Sequence, residues 1–210
     1  MAEVTCVGIL TADVVGKPIE SLPERGKLGL VERIELHSGG CAANTGIGLA
    51  ILGVDTAIIG KVGNDGFGDF VVGRFQKYGI EIGGVAWDKD AATSATMVFV
   101  DSSGERSFLH YPGANATFRL EDIDTSLIHK SKIVHVAGTF LMPQFDGEPT
   151  AELLKQAQAA GVITSLDTVW DARGGWMQTM GTALAYTDYF LPSYEEAKQL
   201  ASGEEDPTEI

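Results

Sequence analysis

The 210-residue sequence predicts an α/β fold: a mainly parallel sheet sandwiched between helices, with a small second β-sheet. Three observations carry this reading. From Glu121 onward, short apolar runs alternate with helical stretches, the order of parallel βαβ units. Upstream, the stretch Ser38 to Asp69 holds two glycine-rich loops, each opening a helix, with a strand between them. Between these regions stands a hairpin signal, Ala95 to Val100 and Arg106 to Tyr111, joined by Asp101-Ser102-Ser103-Gly104.

Taken in order, Val4 to Leu10 reads as a strand buried on both sides, with Asp13 just past its end. Open α/β sheets place ligands beyond the carboxyl ends of their strands, so Asp13 is a candidate ligand group; a local turn is the alternative. Gly16 to Gly29 reads as loop and Leu30 to Leu36 as a weakly alternating strand. Gly39 and Gly40 open a helix whose Ala43, Ile47, Ala50 and Ile51 share one face, and Gly53 ends it. Asn44 is a polar side chain in its first turn. Thr56 to Gly60 is a strand; Gly63, Gly66 and Gly68 then lead into a helix with Phe67, Phe70, Val71, Phe75 and Tyr78 on one face and Gly79 at its C-terminus. The strand at Leu30 to Leu36 and the hairpin break the βα alternation. They predict a lid, drawn from about 14–37 and 85–112, over one edge of a single domain.

Downstream, Glu121 to Ile128 reads as a short helix, Lys132 to Ala137 as a strand, and Pro149 to Ala160 as a helix closed by Gly161. Val162 to Asp167 is a strand, Trp176 to Ala185 a helix, Tyr189 to Leu191 a strand and Ser193 to Ala201 a helix. An acidic loop, Gly203 to Glu209, follows without a closing element, so a truncated domain is expected.

Acidic residues outnumber basic ones by 29 to 15, a formal charge of −14, which disfavours nucleic acid and anionic membranes as partners. No apolar run is long enough for a membrane span, and no signal peptide is visible, which argues for the cytoplasm. Cys6 and Cys41 are the only cysteines, and without secretion they are expected to be free thiols.

No GxxxxGK[ST], GxGxxG after the first strand, or GxSxG occurs, and the histidines at 37, 110, 129 and 135 lack metal-ligand spacing. His135, inside an apolar strand, reads as a satisfied core residue. Asp167 closes a strand, with Asp171 and Arg173 in the loop after it; ligand contact and a surface ion pair are both open readings. Ser193 with Glu196 reads first as a capping box. A carboxylate near metal or phosphate is the alternative.

The run GGCAANTGIGLAILG…AIIGKVGNDGFGD resembles the N-terminal signature of ribokinase-like (PfkB) carbohydrate kinases. So do SSGERSFLHYPGAN, VHVAG, LDTVWD and LPSYEEAKQL, in order along the chain. The resemblance implies an α/β/α sandwich with a β lid, and transfer of the ATP γ-phosphoryl, with Mg, to a sugar hydroxyl. It implies that Asp13, Gly39, Gly40 and Asn44 bind the sugar and that Arg106 and His110 reach it from the lid; Asp167 and Arg173 are candidates for the same site by their place at a strand end. Glu196 matches the glutamate of the family's Asn-x-x-Glu motif, linked indirectly to Mg and phosphate, with Ser193 in place of the Asn. The family's Gly-Ala-Gly-Asp, which holds the anion hole and the catalytic Asp, does not occur here, so these 210 residues are expected to be inactive alone. A non-catalytic sugar- or nucleoside-binding module is the main alternative, and a nucleotide-binding oxidoreductase a third. A lid sheet with one apolar face also points to a homodimer paired through the lids.

Overall fold

The computed structural model describes residues 2–204 and 206. In chain order the elements are β1 (Val4–Gly8), β2 (Thr11–Lys17), β3 (Arg33–Gly39), α1 (Cys41–Ile51), β4 (Thr56–Gly63), α2 (Gly66–Lys77), β5 (Glu81–Asp88), β6 (Ala95–Val100), β7 (Arg106–Tyr111), α3 (Thr125–Ile128), β8 (Ile133–Thr139), α4 (Glu148–Ala159), β9 (Ile163–Thr168), α5 (Trp176–Leu184), β10 (Tyr189–Phe190) and α6 (Tyr194–Leu200). Six strands form one parallel sheet in the order β10-β9-β8-β1-β4-β5. The other four form a separate sheet, β3-β2-β6-β7.

The central strands β1 and β4 are covered on both faces, which is why they read as continuous apolar runs. All five residues of β1 are buried. On one face Ala42 and Ala43 of α1 and Val71 and Phe75 of α2 pack on Cys6, Ile58 and Val62. On the other, Leu153 and Leu154 of α4 and Met180 of α5 pack with Phe118 and Phe145 on Val134, Val136 and Leu166. Each such large side chain, fully buried, contributes roughly 1.5–3 kcal/mol. On the α1 side, Ile133, His135, Ser165, Asp167 and Leu191 line an open cleft over β8, β9 and β10. His135 is satisfied there, its Nδ1 lying 3.0 Å from Ser165 Oγ.

The small sheet pairs β2 with β3 antiparallel, β2 with β6 parallel and β6 with β7 antiparallel. The hairpin at Asp101 to Gly104 is as expected from sequence. Its two faces differ. Leu36, Val14, Met97 and Leu109 are successive cross-strand partners and form one apolar row. His37, Asp13, Thr96 and His110 form the adjacent row, on the opposite face.

Several elements differ from the sequence reading. Asp13 is not in a turn past the first strand. It is the third residue of β2, because the chain leaves β1 through Gly8, at φ 147, and re-enters extended structure after only Ile9 and Leu10. Both are buried, so no polar turn signal marks the break. The strand expected at Leu30 begins at Arg33 and runs to Gly39, leaving Leu30 exposed. Within the span 85–112 read as lid, residues 85–88 belong instead to β5, which pairs with β4 in the large sheet. Gly83 and Gly84 dilute its strand signal. The helix expected over Glu121 to Ile128 is a 3₁₀ turn (Leu120–Asp122) and a single α turn capped by Asp124, which accepts from Ser126 N at 2.9 Å. The acidic loop read at Gly203 to Glu209 falls largely outside the described residues.

Candidate active site at the base of the lid

The carboxyl ends of β1, β8 and β9, the N-terminus of α1 and the base of the lid converge, and the candidate side chains stand around that junction. Asp13 is partly buried, and its Oδ1 accepts from Thr11 Oγ1 at 3.2 Å. Gly39 lies directly against this carboxylate: a Cβ at Gly39 would overlap Asp13 Oδ2. Gly40, at φ 95, is the N-cap of α1, and a Cβ there would overlap the carbonyl of Ile9. The glycine pair thus admits a carboxylate on one side and the β1–β2 connection on the other.

Asn44 is exposed one turn into α1, where it lines a cleft with His37, Ser38 and Arg74. His110 is on Asp13's row of the lid, with its Nδ1 3.1 Å from Thr96 Oγ1. Burial lowers its pKa, and the Asp13 charge opposes that. Arg106 shares this face of the lid, but it is four residues further out along β7, about 13 Å, and stacks on Phe108 at 5.7 Å.

Asp167, near the end of β9, meets the Cys41 thiol and the charge of Glu196. Burial first and then Glu196 push its pKa up to about 6. The Cys41 thiol is pushed up to about 12, by burial and then by the two carboxylates, so it is a neutral hydrogen-bonding group at the start of α1. Glu196 is buried at the start of α6. Its Oε2 accepts from Ser193 N at 2.8 Å and from Thr168 Oγ1 at 3.1 Å. Ser193 Oγ in turn accepts from Glu196 N at 3.3 Å, so the expected capping box is formed and its carboxylate is also held by the sheet. Asp171 serves the backbone, accepting from Arg173 N at 2.9 Å and Trp176 N at 2.8 Å. Arg173 is exposed, and its charge acts on Asp146 in the loop after β8.

Asp13 is therefore brought against Gly39 and onto the row of His110, while Asp167, Ser193 and Glu196 form a second group joined to α1 through Cys41. Arg106 stands apart from Asp13. Sequence reasoning missed Cys41, Thr168, Thr96 and Asn115. All act through long-range contacts, and no local spacing marks them. Among the described residues no group of three His, Cys, Asp or Glu side chains is placed to hold a metal, and no helix is long and apolar enough to cross a membrane.

A six-stranded parallel sheet with a small four-stranded sheet at its carboxyl edge, and polar candidate groups where the two meet, defines a ribokinase-like α/β fold. The chain belongs to the pfkB family of carbohydrate kinases, whose model matches residues 1–210. It is 31% identical over 174 residues to "Probable fructokinase-6, chloroplastic" of Arabidopsis thaliana, covering 80% of this chain and 45% of that one. It is 30% identical over 131 residues to "Fructokinase" of Solanum tuberosum, covering 61% and 41%. The chain thus spans about half the length of the curated relatives it matches. Among solved structures, fructokinase from Xylella fastidiosa superposes with a TM-score of 0.80 at 28% identity, covering 96% of this chain and 63% of that one. Arabidopsis thaliana ribokinase, complexed with ribose and ATP, shares the fold, with a TM-score of 0.79 at 23% identity over 96% and 63%.

Proposed function

We propose that the protein of which these residues are part transfers the γ-phosphoryl of ATP to a hydroxyl of a sugar. The observation that carries this is the Asp13 carboxylate seated on Gly39 beside the N-terminus of α1, in a chain of the pfkB family. A carboxylate accepts hydrogen bonds from two hydroxyls, and the glycine pair leaves room for a ring. Asn44, His110, Asp167 and Arg173 complete the proposed sugar-binding set, with Arg106 at its far rim. The fructokinases among the relatives make a hexose the first substrate to try.

Glu196 and Ser193 stand on the proposed phosphate side. Because Glu196 Oε2 already accepts two hydrogen bonds, it fits Mg through an intervening water better than as a direct ligand. Mg held beside Glu196 in this way would supply positive charge against the charge that develops on the phosphate. No Gly-Ala-Gly-Asp occurs in the sequence, and the proposal places the catalytic base and anion hole outside these 210 residues. The second reading is a module that binds a sugar or nucleoside without turnover.

The test is ATP-dependent phosphorylation of fructose, ribose and a nucleoside panel by the full-length protein, with calorimetry on residues 1–210 alongside. Turnover by the full chain, lost in Asp13→Ala, supports the kinase. Sugar binding without turnover in the full chain supports the module.

A further inference from the structure

The short connection Ala91-Ala92-Thr93-Ser94 carries the chain out of β5 and into the lid strand β6. Thr93 and Ser94 are buried, so their polar groups need partners inside the protein. Thr93 finds them at the end of β4 and the start of α2. Its Oγ1 accepts from Gly63 N at 2.9 Å and donates to Asp65 Oδ1 at 2.8 Å. Its N donates to Asp65 Oδ2 at 2.7 Å. Asp65 is the N-cap of α2, and its Oδ1 also accepts from Gly68 N at 2.9 Å. One carboxylate thus caps the helix and grips, with both oxygens, a residue 28 positions away. Burial would raise its pKa, but the Thr93 and Gly68 amides and the Thr93 hydroxyl bring it below the ordinary value.

The fit around this connection is close. A Cβ at Gly63 would overlap Thr93 N, and one at Gly68 the carbonyl of Gly63. A Cβ at Gly113 would overlap the carbonyl of Ala92, which accepts from Ala114 N at 2.9 Å. Two members of the glycine cluster after β4 therefore make room for protein backbone.

Ser94 passes the position on to the lid. Its carbonyl accepts from Ala12 N at 3.0 Å, and its hydroxyl donates to Tyr111 O at 3.0 Å. Ala12 precedes Asp13, and the pairing continues as Ala12 with Ala95 and Asp13 with Thr96. From α2 to the Asp13 backbone the path runs through Asp65, Thr93, Ser94 and Ala12, and every link is a hydrogen bond or a peptide bond. Neither Asp65 nor Thr93 is among the candidate sugar-binding groups.

We infer that Asp65 is a positioning residue for the proposed phosphoryl transfer: through Thr93 and Ser94 it sets where β2 stands at the base of the lid, and so where the Asp13 carboxylate meets the sugar. This rests on the kinase reading and adds to it a group, remote from the substrate, that governs sugar affinity.

The test uses the full-length protein, with hydrogen exchange at the Ala12 amide beside steady-state kinetics. Thr93→Val keeps the shape and takes the hydroxyl from Asp65 and Gly63. It is expected to speed exchange at Ala12 roughly tenfold, the loss of about one hydrogen bond to a charged group, with amides of β8 and β9 within about twofold. KM for fructose is expected to rise about tenfold and KM for ATP to stay within about twofold, because one binding group is misplaced. Thr93→Ser is expected to restore both. Asp65→Ser keeps a cap for α2 but is too short to hold Thr93, and is expected to behave as Thr93→Val does. Circular dichroism checks that each variant is folded, and Asp65→Ser decides the matter if Thr93→Val is not. An unchanged fructose KM in a folded variant overturns the inference and leaves the kinase reading standing. So does an equal loss for both substrates with faster exchange in every strand, which marks general destabilisation. If the wild type phosphorylates no sugar, the kinase reading falls, and exchange at Ala12 still decides whether Asp65 fixes β2.

Discussion

The side-chain amide of Asn115 closes on the backbone of Leu10 from both sides: Nδ2 donates to Leu10 O at 3.0 Å and Oδ1 accepts from Leu10 N at 3.1 Å. Leu10 is the last residue before β2, so this pair fixes where the chain leaves the large sheet and enters the lid. Both residues are buried, and no water replaces a missing partner cheaply. Asn115→Ala is expected to cost roughly 2–4 kcal/mol in urea denaturation, two buried backbone groups being left unpaired. Asn115→Asp keeps the acceptor, loses the donor and is expected to fall between. Equal stability in all three proteins would show that the clamp contributes nothing.

Glycines along α1 and its approach separate fit from flexibility. At Gly39 a Cβ would overlap Asp13 Oδ2, whereas at Gly48, in the middle of α1, it meets open space. Gly39→Ala is expected to push the carboxylate aside and weaken sugar binding at least about tenfold, the loss of about one hydrogen bond to a charged group. Gly48→Ala is expected to stabilise α1 by about 0.5–1 kcal/mol and leave binding unchanged. Calorimetry and thermal unfolding on the two variants check both halves.

Much of this arrangement was legible in the sequence because it is local. The glycine pair, the cap of α1, the hairpin at Asp101 to Gly104 and the capping box of Ser193 and Glu196 each lie within a few residues of their cause. What was not legible is joined over long separations. Leu10 and Asn115 are 105 residues apart, and Thr168 and Glu196 28 apart. Only the end of β2 falls in the loop expected from Gly16 onward, and its start goes unmarked because the turn before it is apolar. β5 was passed over because Gly83 and Gly84 weaken its pattern, and only pairing with β4 makes it a strand.

Asp146 makes folding depend on pH. Its Oδ2 accepts from Met142 N at 3.0 Å, while Oδ1 is buried without a partner among the described residues. Burial pushes its pKa up from 3.8 to about 7; backbone donors at Phe140 and Met142 and the charge of Arg173 oppose this, and Asp171 adds to it. A carboxyl raised in the folded state binds its proton more tightly there than in the unfolded chain. Its contribution is therefore fully present below about 3.8 and is lost as pH rises through about 7. Asp146→Asn removes the charge and keeps an acceptor for Met142 N. At pH 8 it is expected to be more stable than the wild type by roughly 1–3 kcal/mol, and at pH 5, closer to 3.8, the gain should be clearly smaller. Urea denaturation at the two pH values checks this, and an equal difference at both would show that burial of the charge is not the cause.

The apolar side of the lid is the part of the surface most in need of a cover. Ile34 is 69% exposed, Leu109 58% and Met97 52%, and Leu36 and Tyr111 are exposed beside them. These side chains belong to three of the four lid strands, and the row Leu36, Val14, Met97, Leu109 crosses the whole sheet. A contiguous apolar face of this kind on a charged protein marks an interaction surface. A second copy of the same face packed on it is the homodimer expected from the sequence. Light scattering on the wild type at micromolar concentration is expected to give twice the chain mass. The pair Met97→Lys and Leu109→Lys is expected to give the single mass, since each places an ammonium on the apolar row without touching the Asp13 side. Sugar binding should then survive in the monomer, because Asp13, Thr96 and His110 face the other way. A wild type that is already monomeric would overturn the pairing, as would a charged variant that stays dimeric.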